Sequence, residues 1–140
     1  MILLDTNVIS ELMRIKPAQI VLDWFGQCDA ADLFISAITE AELRTGVAIL
    51  PEGQRRDRLQ VALDAMIDQD FQTRVLPFDS PAARAYAEIA AQRRAAGRPI
   101  AEADCQIAAI ARAKGAPVAT RNVKDFDGCG IRLINPWDNR

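Results

Sequence analysis

The 140-residue chain contains no histidine. That absence removes serine–histidine and cysteine–histidine nucleophiles, imidazole acid–base pairs and most zinc sites. The cysteines, Cys28, Cys105 and Cys129, are odd in number and lack metal-like spacing, so they read as reduced thiols of a reducing compartment. No apolar run approaches the ~20 residues of a membrane span. No basic segment, apolar stretch and cleavage site open the chain. The expectation is a cytoplasmic protein with no membrane partner. The formal net charge is only −2, which gives no global attraction for nucleic acid; such a ligand would need local basic patches. Any chemistry must therefore use carboxylates, hydroxyls, amides, Lys, Arg or a bound cation.

What is present suits one folded domain spanning 1–140. Half of the residues are apolar and about a quarter are charged with balanced signs, an ordinary composition for a chain with a packed core. Short apolar runs at 1–4, 33–35, 75–78, 118–120 and 131–134 read as strands. Between them, helical periodicity marks 8–13, a segment from Pro17 to Gly26, then 37–50, 54–70, 80–97 and 100–114. Leu59, Leu63, Met66 and Ile67 form the stripe of the 54–70 helix. Ser36 and Asp79 stand at N-cap positions, and Gly97 and Gly115 at helix ends. Alternation of this kind predicts an α/β fold, with a mainly parallel sheet covered by helices on both faces. Two helices separate the second and third strands, and the order of the strands is not readable.

Acidic residues fall where this pattern places strand ends and helix starts. Asp5 follows the first strand in Leu4-Asp5-Thr6-Asn7. Glu42 lies on the helix after the second strand, Asp104 in the first turn of the helix before the fourth, and Asp125 after the fourth strand. Converged on one rim, they would form an all-oxygen cluster suited to Mg²⁺ or Mn²⁺. Two carboxylates ~4 Å apart repel by roughly 4 kcal/mol at an effective dielectric of ~20. Several together oppose a domain stability of only about 5–15 kcal/mol. Such a cluster must protonate, bind a cation or receive basic side chains. Each acid also has a plain structural reading. Asp5 or Thr6 can cap the first helix, Glu42 can close a capping box with Thr39, Asp104 can favour a helix start, and Asp125 can serve a turn. Arg93, Arg94 and Arg98, with Arg55, Arg56 and Arg58, are candidate phosphate contacts, against the ordinary reading of a solvated helix face. Cys105 reads as a small buried side chain and Trp137 as a packing anchor.

Ile2-Leu3-Leu4-Asp5-Thr6-Asn7, residues 36–46 around Thr39 and Glu42, residues 100–109 around Asp104, and Val118-Ala119-Thr120-Arg121-Asn122 together resemble the motifs of PIN-domain ribonucleases. Leu76-Pro77-Phe78-Asp79 and Asn135-Pro136-Trp137 extend the likeness over essentially the whole chain. It is closest to VapC-type toxins of bacterial toxin–antitoxin pairs, and among them to the FitB-like branch. The resemblance implies a three-layer fold with a parallel five-stranded sheet and a Mg²⁺- or Mn²⁺-dependent endoribonuclease. Asp5, Glu42 and Asp104 would be its acidic core, and Thr6 and Thr120 polar neighbours. For the fourth acid, some relatives place an aspartate where this chain has Asn122, and others an acid three residues on, as Asp125 is. Asp125 is taken as the acid, with Asn122 assisting. A homodimer and a cognate VapB- or FitA-like antitoxin are also implied. The rival expectations are a Mg²⁺-binding phosphoacceptor module of receiver type and a PIN-like domain that only binds a partner.

Overall fold

The computed structural model describes residues 1–138; residues 139 and 140, part of the single domain expected over 1–140, lie outside the described residues. The chain runs β1 (Ile2–Leu4), α1 (Thr6–Leu12), α2 (Gln19–Gln27), β2 (Leu33–Ser36), α3 (Ala37–Ala48), α4 (Gln54–Ala65), β3 (Val75–Leu76), α5 (Ser80–Ala95), α6 (Glu102–Lys114), β4 (Val118–Ala119) and β5 (Leu133–Ile134). The strands form one parallel sheet in the order β3-β2-β1-β4-β5. This is the expected α/β architecture. The order also differs from the 2-1-3-4-5 arrangement of flavodoxin-like receiver folds, so the receiver expectation is not supported by the topology.

Strand alternation divides the core into two layers. Leu3 and Val118 are register partners and point into a cluster built with Ala82, Ala85 and Ile89 of α5 and Ile107 and Ile110 of α6. The next pair, Leu4 and Ala119, points to the opposite face, where Val8, Ile9, Trp24, Leu43, Val47 and Leu63 from α1 to α4 pack. Each strand is therefore apolar on both faces, as a sheet covered twice requires.

Several boundaries differ from the sequence expectation. The first helix starts at Thr6, because Asp5 caps it. The expected continuous helix over 54–70 stops at Ala65 and continues as a π turn over Met66–Asp70, closed by a bond from Phe71 N–H to the Met66 carbonyl. The wider turn lets Ile67 and Phe71 both reach the core, and both are buried. The third strand is Val75–Leu76 alone; Pro77 has no N–H to continue the ladder. The last is likewise confined to Leu133–Ile134. Among the described residues no helix is long and apolar enough to cross a membrane.

Candidate active site at the central strand ends

β1 is central. The chain runs from β1 through β2 to β3 on one side and then crosses back to place β4 on the other, so the C-terminal ends of β1 and β4 flank a switch point of the sheet, where ligands of open α/β sheets bind. Asp5 and Thr120 are the first residues beyond those ends. Asp5 N–H donates to the Ala119 carbonyl at 2.9 Å, and Thr120 N–H to the Ile134 carbonyl at 2.9 Å. Both side chains are buried.

The plain reading of Asp5 holds, and its geometry leaves room for the chemical one. Its Oδ1 accepts from Thr6 N–H at 2.8 Å and caps α1, while Oδ2 accepts from the Thr120 hydroxyl at 2.8 Å. A carboxylate oxygen has a second lone pair, so neither bond exhausts it. Thr120 Oγ1 also accepts from Asn122 N–H at 3.0 Å and from Asn7 Nδ2 at 3.3 Å. The Asn7 amide oxygen in turn accepts from Arg121 N–H at 3.3 Å. Asn7, whose role the sequence left open, thus ties the end of β1 to the chain leaving β4.

Glu42 reaches the same place from α3. Thr6 donates its hydroxyl proton to Glu42 Oε1 at 2.7 Å, and lies 3.0 Å from Thr39 Oγ1. Because Thr6 has a single hydroxyl proton, Thr39 must be the donor in the second contact. A capping box between Thr39 and Glu42 is not what forms; Ser36 caps α3 by accepting from Thr39 N–H at 3.1 Å.

Asp5, Thr6, Asn7, Glu42, Asp104 and Asn122 share one open cleft of about 470 Å³. Ser10, Glu11, Arg14, Arg121 and Trp137 complete its walls. The cleft is acidic at its floor and basic at its rim. Burial pushes the Asp5 carboxyl above its ordinary value against its two hydrogen bonds, and the charges of Glu42 and Asp125 add to the rise. Asp104 is pushed up to about 6, first by desolvation and then by Asp5, Asp125 and Glu42. Asp5, Glu42 and Asp104 thus meet in the cleft, and Asp125 is felt there only through its charge. Asp125 sits on a 3₁₀ turn, Val123–Phe126, exposed and outside the cleft lining, whereas Asn122 is on the lining.

The donor set fits a hard cation by its chemistry: carboxylates, hydroxyls and amides, without sulfur or imidazole. Among the described residues no three carboxylates lie close enough to enclose a metal ion alone. Mg²⁺ takes one or two carboxylates and keeps several waters, so one or two of Asp5, Glu42 and Asp104 would bind it directly and the rest through water.

The basic candidates fall in different places. Arg93 is 7% exposed and cannot present its guanidinium to RNA; it bonds carbonyls inside the protein instead. Arg98 pairs with Asp127 at 3.2 Å, and Arg94 is exposed on the last turn of α5, away from the cleft lining. The cations at the site are Arg14, held by Glu11 at 3.2 Å, and Arg121, stacked 5.1 Å above the Trp137 ring. Sequence reasoning passed over both. Arg121 adjoins Thr120 in the quoted motif, but only the approach of the C-terminal turn shows that Trp137 supports it. Cys105 is buried as expected, and desolvation pushes its thiol to about 11, which suits an inert core side chain.

The sequence profile described as PIN domain matches residues 2–128. The chain belongs to the PIN-domain family. Plasmid stability protein StbB of Pseudomonas syringae pv. tomato is 49% identical to this PIN domain, with 99% of each chain covered. VapC ribonuclease Y4jK of Sinorhizobium fredii is 46% identical, again over 99% of each. Among solved structures, FitAcB from Neisseria gonorrhoeae superposes with a TM-score of 0.93 at 43% identity, covering 99% of both chains. The five-stranded parallel sheet expected from the sequence is thus the fold of a close relative.

Proposed function

We propose that this PIN domain is a Mg²⁺- or Mn²⁺-dependent endoribonuclease toxin, neutralised in the cytoplasm by a cognate antitoxin of VapB or FitA type. The observation that carries the reading is the meeting of Asp5, Glu42 and Asp104 in one cleft at the sheet's switch point. Likeness to a VapC ribonuclease over the full chain supports the choice of RNA as substrate.

The residues divide the work by position. Asp5, Glu42 and Asp104 would hold the cation, directly or through water, with Asp125 as the fourth acid and Asn122 assisting. When bound, the ion polarises a phosphate oxygen and acidifies water. Thr120 and Thr6 fix the rotamers of Asp5 and Glu42 through their hydroxyls. The proton leaving the attacking water goes to a carboxylate of the cluster, Asp104 or Asp125. Arg14 and Arg121 line the cleft as cationic contacts for the flanking phosphates. An antitoxin segment carrying a basic side chain would be held by the same acidic floor, and a homodimer is part of the same proposal.

The test uses purified, antitoxin-free protein and structured RNAs, with Mg²⁺ or Mn²⁺ and with chelator. Cleavage is expected only with the cation, and Asp5→Asn is expected to lower it roughly 100-fold or more. Equal cleavage by the variant, or cleavage unaffected by chelator, would sink the assignment. A domain that only binds its partner would give no cleavage in either condition while still forming the antitoxin complex.

A further inference from the structure

Arg93 is a cation placed in the interior, where a methionine or leucine would pack without desolvation cost. Its contacts give the reason. Nε donates to the Arg98 carbonyl at 2.7 Å, and Nη1 donates to the carbonyls of Asp125 and Asp127, each at 2.9 Å. Nη1 also lies 3.7 Å from Cys129 Sγ. One guanidinium therefore joins the last turn of α5, the connection that leads into α6 and Asp104, and the loop after β4 that carries Asp125.

That loop is otherwise held by Phe126 and Cys129 in the core and by short-range backbone bonds such as Asp125 N–H to the Asn122 carbonyl at 3.0 Å. Its own backbone bonds include two long ones, Asp127 N–H to Lys124 at 3.4 Å and Cys129 N–H to Phe126 at 3.3 Å. Arg98 pairs with Asp127 from outside. The fork of Arg93 is the element that reaches the Asp125 main chain from another part of the fold. A lysine, a point donor on a flexible stem, could not span the Arg98 carbonyl and the two loop carbonyls together.

We propose that Arg93 is a positioning residue that sets Asp125 against Asp5 and Asp104. The proposal rests on the cation-site reading above and makes Asp125 the fourth acid. Groups that orient metal ligands typically change metal affinity by about 10–100-fold when removed.

The test measures Mn²⁺ affinity of the full chain by calorimetry and by Mn²⁺ electron paramagnetic resonance, with RNA cleavage alongside. The proteins are wild type, Arg93→Lys, Asp125→Asn and the double variant. Arg93→Lys is expected to weaken Mn²⁺ binding about tenfold, and to have no further effect once Asp125 is already Asn. Unchanged affinity in Arg93→Lys, or an equal loss in both backgrounds, overturns the proposal and leaves the cation site standing. Wild type that binds no Mn²⁺ overturns both. Should Arg93→Lys fail to fold, Arg93→Met, which fills the same buried space without a donor, replaces it in the same cycle. Weaker Mn²⁺ binding that disappears in the Asp125→Asn background supports the clamp, and unchanged binding overturns it.

Discussion

Asp104→Asn is expected to make the cation-free protein more stable. In the folded state Asp104 is pushed from 3.8 to about 6 by desolvation and by Asp5, Asp125 and Glu42. A tenfold change in proton affinity is worth about 1.4 kcal/mol, so the full shift corresponds to roughly 3 kcal/mol. The side chain is only half-buried, and solvent screening reduces the figure to about 1–2 kcal/mol. The sign follows from linkage. Between 3.8 and about 6 the folded state holds the Asp104 proton more tightly than the unfolded state does. Rising pH through that window therefore removes stability, and the whole loss is present above about 6. Asparagine keeps the shape without the charge. At pH 7.5 in chelator the variant should melt about 3–6 °C above wild type, and the difference should shrink towards zero near pH 4. Asp5, raised in the same direction, leaves a residual slope in both proteins, so the difference between the curves is the measurement. Mn²⁺ should then raise the melting temperature of wild type far more than that of the variant. A variant no more stable than wild type at pH 7.5 in chelator would refute the reasoning, because neither burial nor the neighbouring carboxylates would then be disfavouring the Asp104 charge.

Two further perturbations probe the frame of the site. Thr120→Val keeps the buried shape and removes a hydroxyl that donates to Asp5 and accepts from Asn122 and Asn7; urea denaturation should show a loss of about 1–3 kcal/mol. A glycine pair should respond with opposite signs in thermal melts. Gly115 caps α6 at φ +66° with nothing near its missing Cβ, so Gly115→Ala should cost roughly 1 kcal/mol of backbone strain. Gly46 lies within α3, equally open, and Gly46→Ala should stabilise by about 0.5–1 kcal/mol.

The plain structural readings and the chemical ones were not exclusive, and Asp5 shows why. A residue that leaves a strand and caps a helix sits by geometry at the mouth of a parallel sheet, where its second oxygen is available to other partners. Local pattern was enough to place it. Arg93 shows the opposite case. In sequence, Arg93 and Arg94 are adjacent basic residues near a helix end, and nothing local separates them. A helix turns by about 100° per residue, so one faces α6 and the β4 loop while the other faces water. Thr6 and Glu42 make a third case, since a 2.7 Å bond across 36 positions depends on how α1 and α3 cross.

By itself the sequence determined the chemical vocabulary of this protein, carboxylates, hydroxyls and amides without imidazole, and its alternation of strand and helix. Both are properties of composition and of local hydrophobic period. Strand order, the joining of Asp5 to Thr120, the stacking of Arg121 on Trp137 and the inward turn of Arg93 were decided only in three dimensions. Each depends on contacts between distant segments, whose energies come from burial and packing rather than from neighbouring residues.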